Sequence, residues 1–219
     1  TVNDMTGKMA AGFSDTTTGQ FINHGTIMPG AENMTINGNL VSDGSIGLMT
    51  TDAQTAKQIV VSGTANIAGS RLIAVEGNAY LPGKSYTFLQ AGSVQGSLAN
   101  TAGSAFSGLL SLKNLESSGT TLEASFAAEN HLGTLNGSEQ AAFALLPQLA
   151  ANTASDSAKQ AQLGQLYSAP AAAAKQALHS VAGNLAPDAS ALVVSNMTAM
   201  NAIGARLGYL ATDFALTGT

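Results

Sequence analysis

Three histidines are the residues of this 219-residue chain best suited to acid–base chemistry. Beside a serine and an acidic residue, an imidazole can take the serine proton and so complete a hydrolytic triad. His24 and His131 fall in predicted loops and His179 in an Ala-rich predicted helix, and the chain lacks the G-x-S-x-G turn of many serine hydrolases. We therefore predict three surface histidines, no catalytic residue and no enzyme activity.

Two other patterns have the residue types of a binding site. Gly83-Lys84-Ser85 ends like a phosphate-binding loop, but Asn78 replaces the glycine that such a loop needs five positions earlier. The triplet also leads into a predicted strand rather than a helix, so we interpret it as a β-turn. Carboxylates from Asp43, Asp52 and Glu76 could meet for sugar hydrolysis, an alternative that no sequence motif supports.

Metal ions and cofactors have no sequence signature here. The 13 acidic residues are dispersed, without the spaced Asp residues of a calcium loop or a pair of histidines spaced for zinc. The chain has no Cys, which excludes disulfides and thiolate ligands. We predict neither a metal nor a cofactor.

The composition argues against a disordered segment and against a nucleic-acid-binding protein. Apolar residues make up 45% of the chain and charged residues only 10%, whereas a disordered segment is poor in apolar residues and rich in charge. The net charge is -5 and the eight Lys and Arg residues are scattered, so no basic stripe is available for nucleic acid. Thr1–Gly7 lacks the charged and apolar regions of a signal peptide, so we expect the chain to begin inside a longer protein or after processing.

The distribution of glycine and alanine divides the chain into two parts. Of 24 glycines, 19 lie in residues 1–137, whereas residues 138–219 hold 23 alanines. The first part has the short apolar runs and turn residues of β structure, and the second has a strong bias toward helix. We predict β coils over residues 1–137 and a helical region over residues 138–219.

Short strands separated by turn signals are predicted in the first part. The predicted strands are Thr35–Ile36, Ser45–Met49, Gln58–Val61, Ala65–Ile67, Arg71–Val75, Ser85–Gln90, Gly108–Leu112 and Thr121–Phe126. The predicted turns are Asn37-Gly38, Asp43-Gly44, Ser62-Gly63, Ala68-Gly69, Glu76-Gly77-Asn78 and Pro82-Gly83. The scarcity of charge and the rows of small polar residues favour a solenoid of stacked coils over a sandwich. The polar rows are Thr35, Asn37 and Asn39, then Ser62, Thr64 and Asn66.

Three helices separated by helix-breaking residues are predicted at the start of the second part. Ser138 is the predicted N-cap of the first, whose apolar run is interrupted at Pro147. The second ends before Pro170, and Gly183-Asn184 stops the third. Their predicted ranges are Ala141–Ala151, Ser155–Tyr167 and Ala171–Ala182.

A last apolar helical face is predicted over Ala189–Phe214, after Pro187-Asp188. Residues 189–211 are long enough to span a bilayer and include the pair Gly204 and Gly208. Three polar residues make a lipid-facing span costly, so we favour a helix enclosed by protein. They are Asn196, Asn201 and Arg206. We interpret the methionines Met28, Met34, Met49, Met197 and Met200 as core residues.

The order of these features resembles the end of an autotransporter passenger, from the type V secretion proteins of Gram-negative bacteria. Gly25–Gly30 is similar to the GTI-x-PG corner of that family, and Met34–Leu40 to the coil that follows it. Val60–Ser70 and Tyr80–Leu89 resemble its later coils. The stretch from Ala173 to Leu207 resembles its Ala/Leu-rich linker, which ends in Arg-Leu before an outer-membrane barrel.

The resemblance implies a right-handed parallel β-helix whose last coils act as an autochaperone and cap. Leu109–Leu115 and Leu122–Phe126 would be the closing strands. Only nine residues follow Leu210, too few for a barrel of strands of about ten residues each. The expected partner is therefore the protein's own outer-membrane barrel translocator, outside this chain, and the expected location is the cell surface, reached through the periplasm.

Two functions follow from the resemblance. The first is a non-catalytic passenger segment that promotes folding and secretion and presents an adhesin to host or bacterial surfaces. The second is the stalk of an autotransporter enzyme, a subtilase-type protease or an esterase, with its catalytic domain upstream of Thr1. The scarcity of charge argues against a third, a free-standing β-helix lyase. The passenger interpretation also predicts that residues 1–137 fold without the tail.

Overall fold

The computed structural model describes residues 2–3, 8–9, 14–50, 52–75 and 77–184. This part of the chain is mainly β, with twelve strands followed by three helices. The prediction of a β first part and a helical second part is confirmed at that level. The helix predicted over Ala189–Phe214 lies outside the described residues.

The strands form two sheets. They are β1 Val2–Asn3, β2 Lys8–Met9, β3 Ser14–Asn23, β4 Thr26–Ile27, β5 Met34–Ser42, β6 Ser45–Thr50, β7 Ala56–Lys57, β8 Ile59–Asn66, β9 Arg71–Ala74, β10 Ser85–Gln95, β11 Leu110–Ser117 and β12 Thr121–Ala128. The larger sheet has seven strands in the order β1-β3-β5-β8-β10-β12-β11, and the smaller has five, with β2, β4, β6 and β7 in a row and β9 beside β6.

Most neighbouring strands are parallel, and the chain visits the two sheets in turn. In the larger sheet, β3, β5, β8 and β10 pair parallel, which places Phe21, Leu40 and Ala65 in one row. In the smaller sheet, β4, β6 and β9 pair parallel and place Ile27 and Ile46 in another row. All five residues are at most 1% exposed, so these rows form the core between the sheets.

Two predicted turns are wrong, because Asn37-Gly38 lies within β5 and Ser62-Gly63 lies within β8. Gly38 pairs with Gly19 of β3. A Cβ on Gly63 would lie 2.6 Å from the carbonyl oxygen of Gly38. Glycine at these positions therefore lets neighbouring strands approach closely, because a side chain there would clash with the backbone of the next strand.

Other predicted turns are present, since Gly69, Gly77 and Gly83 all adopt positive φ. The sheet then reverses direction at its end. β12 pairs antiparallel with β10, and β11 pairs antiparallel with β12. The strand predicted at Gly108–Leu112 is shifted, because the observed β11 runs from Leu110 to Ser117.

The helices are α1 Gly137–Asn152, α2 Ser157–Ser168 and α3 Ala171–Asn184. Ser138 is not the N-cap of α1. Asn136 takes that position, because its side chain accepts the Glu139 backbone N–H while the Glu139 carboxylate accepts the Asn136 backbone N–H. Pro147 does not interrupt α1 but lies exposed inside it.

The last two helices lie close to their predicted ranges. Asp156 is the N-cap of α2, and α2 ends before Pro170 as predicted. α3 continues two residues beyond the predicted end, to Asn184. Among the described residues, no helix is long and apolar enough to cross a membrane.

One hydrophobic core extends across the boundary predicted near residue 137. Leu146 and Leu163 from the helices belong to the same buried cluster as Leu109 and Phe126 from the β part. The division into two domains stays a prediction. The shared core argues against the expectation that residues 1–137 fold without the tail, because removing the helices would expose apolar side chains.

Candidate functional site

Four aromatic rings fill the core where the larger sheet ends, a region that we call the closing end. It comprises residues 78–184, with the strands β10–β12 and the three helices. Phe106 lies 4.3 Å from Phe126 and 5.3 Å from Tyr80 between ring centroids. Tyr86 lies 5.9 Å from Phe126. Such ring pairs add about 0.5–1.5 kcal/mol each beyond the burial of their area.

The Tyr80 hydroxyl ties the closing end to β6 of the smaller sheet and to the residue after β9. It donates to the carbonyl oxygen of Leu48 at 2.6 Å and accepts the backbone N–H of Val75 at 2.9 Å. Tyr80 is fully buried, and this burial raises the pKa of its hydroxyl. Its hydroxyl therefore serves as a neutral link between backbone groups.

The Tyr86 hydroxyl makes a second link of the same kind. It donates to the carbonyl oxygen of Ala53 at 2.9 Å and accepts the backbone N–H of Leu81 at 2.9 Å. Burial raises the pKa of Tyr86 to about 12. Ala53 has a φ of 60°, a conformation that costs a non-glycine residue about 1–3 kcal/mol. The Tyr86 bond helps to hold this residue in place.

Helix α2 packs directly on the same region. The backbone N–H of Tyr80 donates to the carbonyl oxygen of Gly164 at 3.2 Å. A Cβ on Gly164 would lie 2.9 Å from the Cβ of Ala79, which is too close for a side chain. The Ser168 hydroxyl donates to the carbonyl oxygen of Asn78. α2 therefore approaches this loop at backbone distance.

A carboxylate and a histidine join α1 to α3. Oε2 of Glu139 accepts the backbone N–H of Asn136 at 3.0 Å, and Oε1 lies 3.3 Å from Nδ1 of His179. The hydrogen bond from Asn136 lowers the pKa of Glu139, with a smaller contribution from His179. The Glu139 side chain is only 6% exposed. An open cleft at this point is lined by Glu139, Lys175, Gln176, His179 and Ser180.

The cleft has the residue types of a triad but not its geometry. The Ser180 hydroxyl donates to the carbonyl oxygen of Gln176 at 2.9 Å. His179 and Ser180 are consecutive on one helix, and consecutive side chains do not face each other. The pair Glu139–His179 therefore serves to join two helices. Sequence reasoning missed this pair, although Asn136 and Glu139 have the spacing of a capping box.

The other two histidines lie in loops, as predicted, and pair with carboxylates. Nδ1 of His24 lies 2.7 Å from Oδ1 of Asp43, with both side chains exposed. Nε2 of His131 lies 3.9 Å from Oε2 of Glu129. An exposed pair such as His24–Asp43 contributes about 0–1 kcal/mol.

The remaining candidates have local structural roles. Lys84 follows the positive-φ Gly83, and its Nζ donates to Oε1 of Gln54 at 2.7 Å, so the triplet is a turn before β10. Burial of Asp52 raises its pKa, but hydrogen bonds, led by those from Gln54 and Thr55, outweigh this and hold the pKa below the usual range. Glu76 lies outside the described residues. Among those described, no three His, Asp or Glu residues are placed to hold a metal ion.

No protein-family model matches this chain, and neither a curated protein nor a solved structure matches it closely enough to carry an inference.

Proposed function

We propose that this chain is a non-catalytic passenger segment of a bacterial surface autotransporter, and that its β part is a right-handed parallel β-helix. The closing end acts as the folding cap of that β-helix. The segment promotes folding and secretion and presents an adhesin at the cell surface. Its translocation partner is the outer-membrane barrel of the same protein.

The observation that carries the proposal is the repeated parallel stacking of strand on strand. Side-chain hydrogen bonds add to the pairing of β5 with β8. Asn33 accepts the backbone N–H of Gln58, and Asn39 accepts that of Thr64. A β-helix has this arrangement because each coil buries the face of its neighbour. The right hand is the usual hand of a parallel crossover.

The reversal of β11 and β12 supports a role as a cap. A stack of parallel strands ends in an open edge, which can pair with other chains unless it is covered. The antiparallel hairpin covers β10 on one side, and its own outer strand carries Lys113 and Glu116, both exposed. Charged residues on an edge strand oppose further pairing.

The surroundings of His179 support a non-catalytic segment. His179 pairs with Glu139, but Ser180 follows it directly on α3 and donates its hydroxyl to the carbonyl oxygen of Gln176. A second function, the stalk of an autotransporter enzyme whose catalytic domain lies upstream, would use the same closing end. The two functions differ in what precedes Thr1.

Engineered cysteines test the β-helix. Thr35 and Val60 are direct partners in the β5–β8 pair, and the chain has no cysteine of its own. We expect the double variant Thr35→Cys/Val60→Cys to form an intramolecular disulfide under mild oxidation, whereas Thr35→Cys/Ser93→Cys stays reduced. Equal oxidation of both pairs would contradict the stacking.

Surface display tests the secretion role. The whole chain is expressed between a signal peptide and a type V barrel, and whole-cell antibody labelling and protease resistance are measured. Phe126→Ala should greatly reduce folded chain at the surface, because losing a buried Phe costs about 3–5 kcal/mol. Gln90→Ala, at an exposed position of β10, is the matched control. Display of the Phe126 variant at the control level would refute the cap, and a chain that never leaves the periplasm would refute the passenger role.

A further inference from the structure

We propose that the Asn136-Gly137 bond is a self-modifying site, at which Asn136 deamidates and thereby releases the cap of α1. The chain contains two Asn-Gly pairs, Asn37-Gly38 and Asn136-Gly137. Glycine after asparagine favours this reaction because it leaves the attacking backbone nitrogen unhindered. The surroundings of the two pairs differ, because one lies at an exposed helix end and the other within a sheet.

The reaction needs only water. The backbone nitrogen of Gly137 loses its proton and attacks Cγ of Asn136, the new C–N bond closes a five-membered imide, and the Cγ–Nδ2 bond breaks to release ammonia. Water then opens the imide at either carbonyl. One opening gives aspartate and the other gives isoaspartate, in which the main chain runs through the former side chain.

Two donors hold the side chain of Asn136 in the folded cap. Oδ1 of Asn136 accepts the backbone N–H of Glu139 and the hydroxyl of Ser138, both at 2.8 Å. These bonds belong to the capped conformation, so they oppose the reaction until the first turn opens. The reaction therefore reports how often the cap opens.

The attacking residue is open. Gly137 is exposed, and no atom lies within 4 Å of the position that a Cβ would occupy. It is the first residue of α1, where a backbone N–H has no partner within the helix. The ψ of Asn136 is 169°, so the backbone must rotate before the ring closes. The reaction thus proceeds when the first turn frays, the least costly kind of local opening.

The other Asn-Gly pair is held by the sheet. The backbone N–H of Gly38 donates to Oγ of Ser62 at 2.8 Å. Its backbone also packs on Gly19 of the neighbouring strand. Attack at Asn37 therefore requires that β5 separate from both neighbours, which costs far more than fraying of a helix end.

Modification of Asn136 has a defined structural consequence. Isoaspartate moves the carboxyl group and lengthens the main chain, so the reciprocal bonds between residue 136 and Glu139 cannot both form. Glu139 also contacts His179, and loss of its position loosens the junction of α1 and α3. The isoaspartate product would therefore loosen the closing end slowly and irreversibly, whereas the aspartate product can still cap α1.

Peptide mapping of the whole chain, aged at mildly alkaline pH, tests the proposal. In the native chain we expect Asn136 to be modified at least about tenfold faster than Asn37, the ratio that a difference of about 1.4 kcal/mol gives. In concentrated urea the two rates should become equal. Equal rates in the native chain, or faster reaction at Asn37, would overturn the proposal.

Two variants separate the chemistry from general unfolding. Gly137→Ala keeps the cap and should suppress modification of Asn136. Ser138→Ala removes one of the two bonds that hold the cap closed and should speed the native reaction by about fivefold, as expected for loss of about 1 kcal/mol of hydrogen-bond stabilisation. Thermal unfolding of both variants verifies that the fold is kept. An unchanged rate in either variant contradicts the mechanism.

Discussion

Three buried tyrosines offer a matched test of the closing end, because the same small change has opposite expected effects. Tyr80, Tyr86 and Tyr167 are each at most 1% exposed. The hydroxyls of Tyr80 and Tyr86 each bond at least two backbone groups. The hydroxyl of Tyr167 has no hydrogen-bond partner within the described ranges. Replacing each by Phe removes one oxygen and keeps the ring.

The expected change in the free energy of unfolding depends on which buried groups lose a hydrogen-bond partner when the hydroxyl is removed. Tyr80→Phe leaves the carbonyl of Leu48 and the N–H of Val75 unpaired in a buried site, which costs about 1–3 kcal/mol. Tyr86→Phe should cost a similar amount. Tyr167→Phe removes a hydroxyl that is buried without compensation, so the free energy of unfolding should stay constant or rise by about 1 kcal/mol.

Urea unfolding of the whole chain, followed by far-UV circular dichroism, measures these differences. In a chain of this length, a loss of about 2 kcal/mol also lowers the melting temperature by about 4–8 °C. Unchanged m-values verify that the three variants expose the same surface on unfolding. The reasoning is refuted if Tyr167→Phe is as damaging as Tyr80→Phe, or if all three are neutral.

Three further predictions concern pH and close packing. Since the pKa of Tyr86 is raised to about 12, stability should be constant below pH ~10 and fall above it by up to about 1.4 kcal/mol per pH unit for this group, as the unfolded chain ionises first. Urea unfolding at several alkaline pH values checks the slope, and an equally steep fall in Tyr86→Phe would contradict its assignment to this group. Gly63→Ala should destabilise by about 1–3 kcal/mol, because its Cβ would meet the carbonyl oxygen of Gly38; a melting temperature at or above that of the parent would be incompatible with the stacking. Gly164→Ala should be less stable than Gly137→Ala, whose Cβ meets nothing, although alanine is favoured over glycine by about 1 kcal/mol inside a helix; the reverse order in urea would show that α2 does not pack on the loop of Ala79.

Local sequence signals located those elements whose own residues specify them. β12 was predicted as Thr121–Phe126 and runs from Thr121 to Ala128, because apolar residues alternate along it. The turn at Pro82-Gly83 was predicted from residue types and has the expected positive φ at Gly83. In both cases the information lies within a few residues of the element.

Elements that depend on distant neighbours were missed or misplaced. β3 was not predicted, since its polar sequence lacks alternation and its pairing comes from β5. Asn37-Gly38 was predicted as a turn, because nothing in the local sequence indicates that Gly19 lies opposite Gly38. Glycine has two uses, a positive φ and close approach of strands, and only the fold distinguishes them.

The candidate site shows the same limit. Tyr80 and Tyr86 belonged to the motif that carried the family resemblance, yet the carbonyl groups to which their hydroxyls donate lie 32 and 33 residues earlier in the chain and could not be read from it. Glu139 and His179 are 40 residues apart and meet only because α1 and α3 pack together. At the start of α1, both Asn136 and Ser138 suit an N-cap, and the position of Glu139 three residues after Asn136 decides between them.

The packing of the helices also constrains the proposed secretion role. An antiparallel hairpin closes the edge of the sheet, but it cannot by itself cover the loops at Ala79 and Gly108. α2 covers the first through Gly164, and the start of α3 covers the second, where a Cβ on Gly108 would lie 3.1 Å from Cα of Ala171. A cap that depends on these helices becomes complete only when they have docked. In a passenger that folds as it emerges, the helices up to Asn184 would then belong to the folded cap, and only the residues after them would remain to serve as the linker to the barrel.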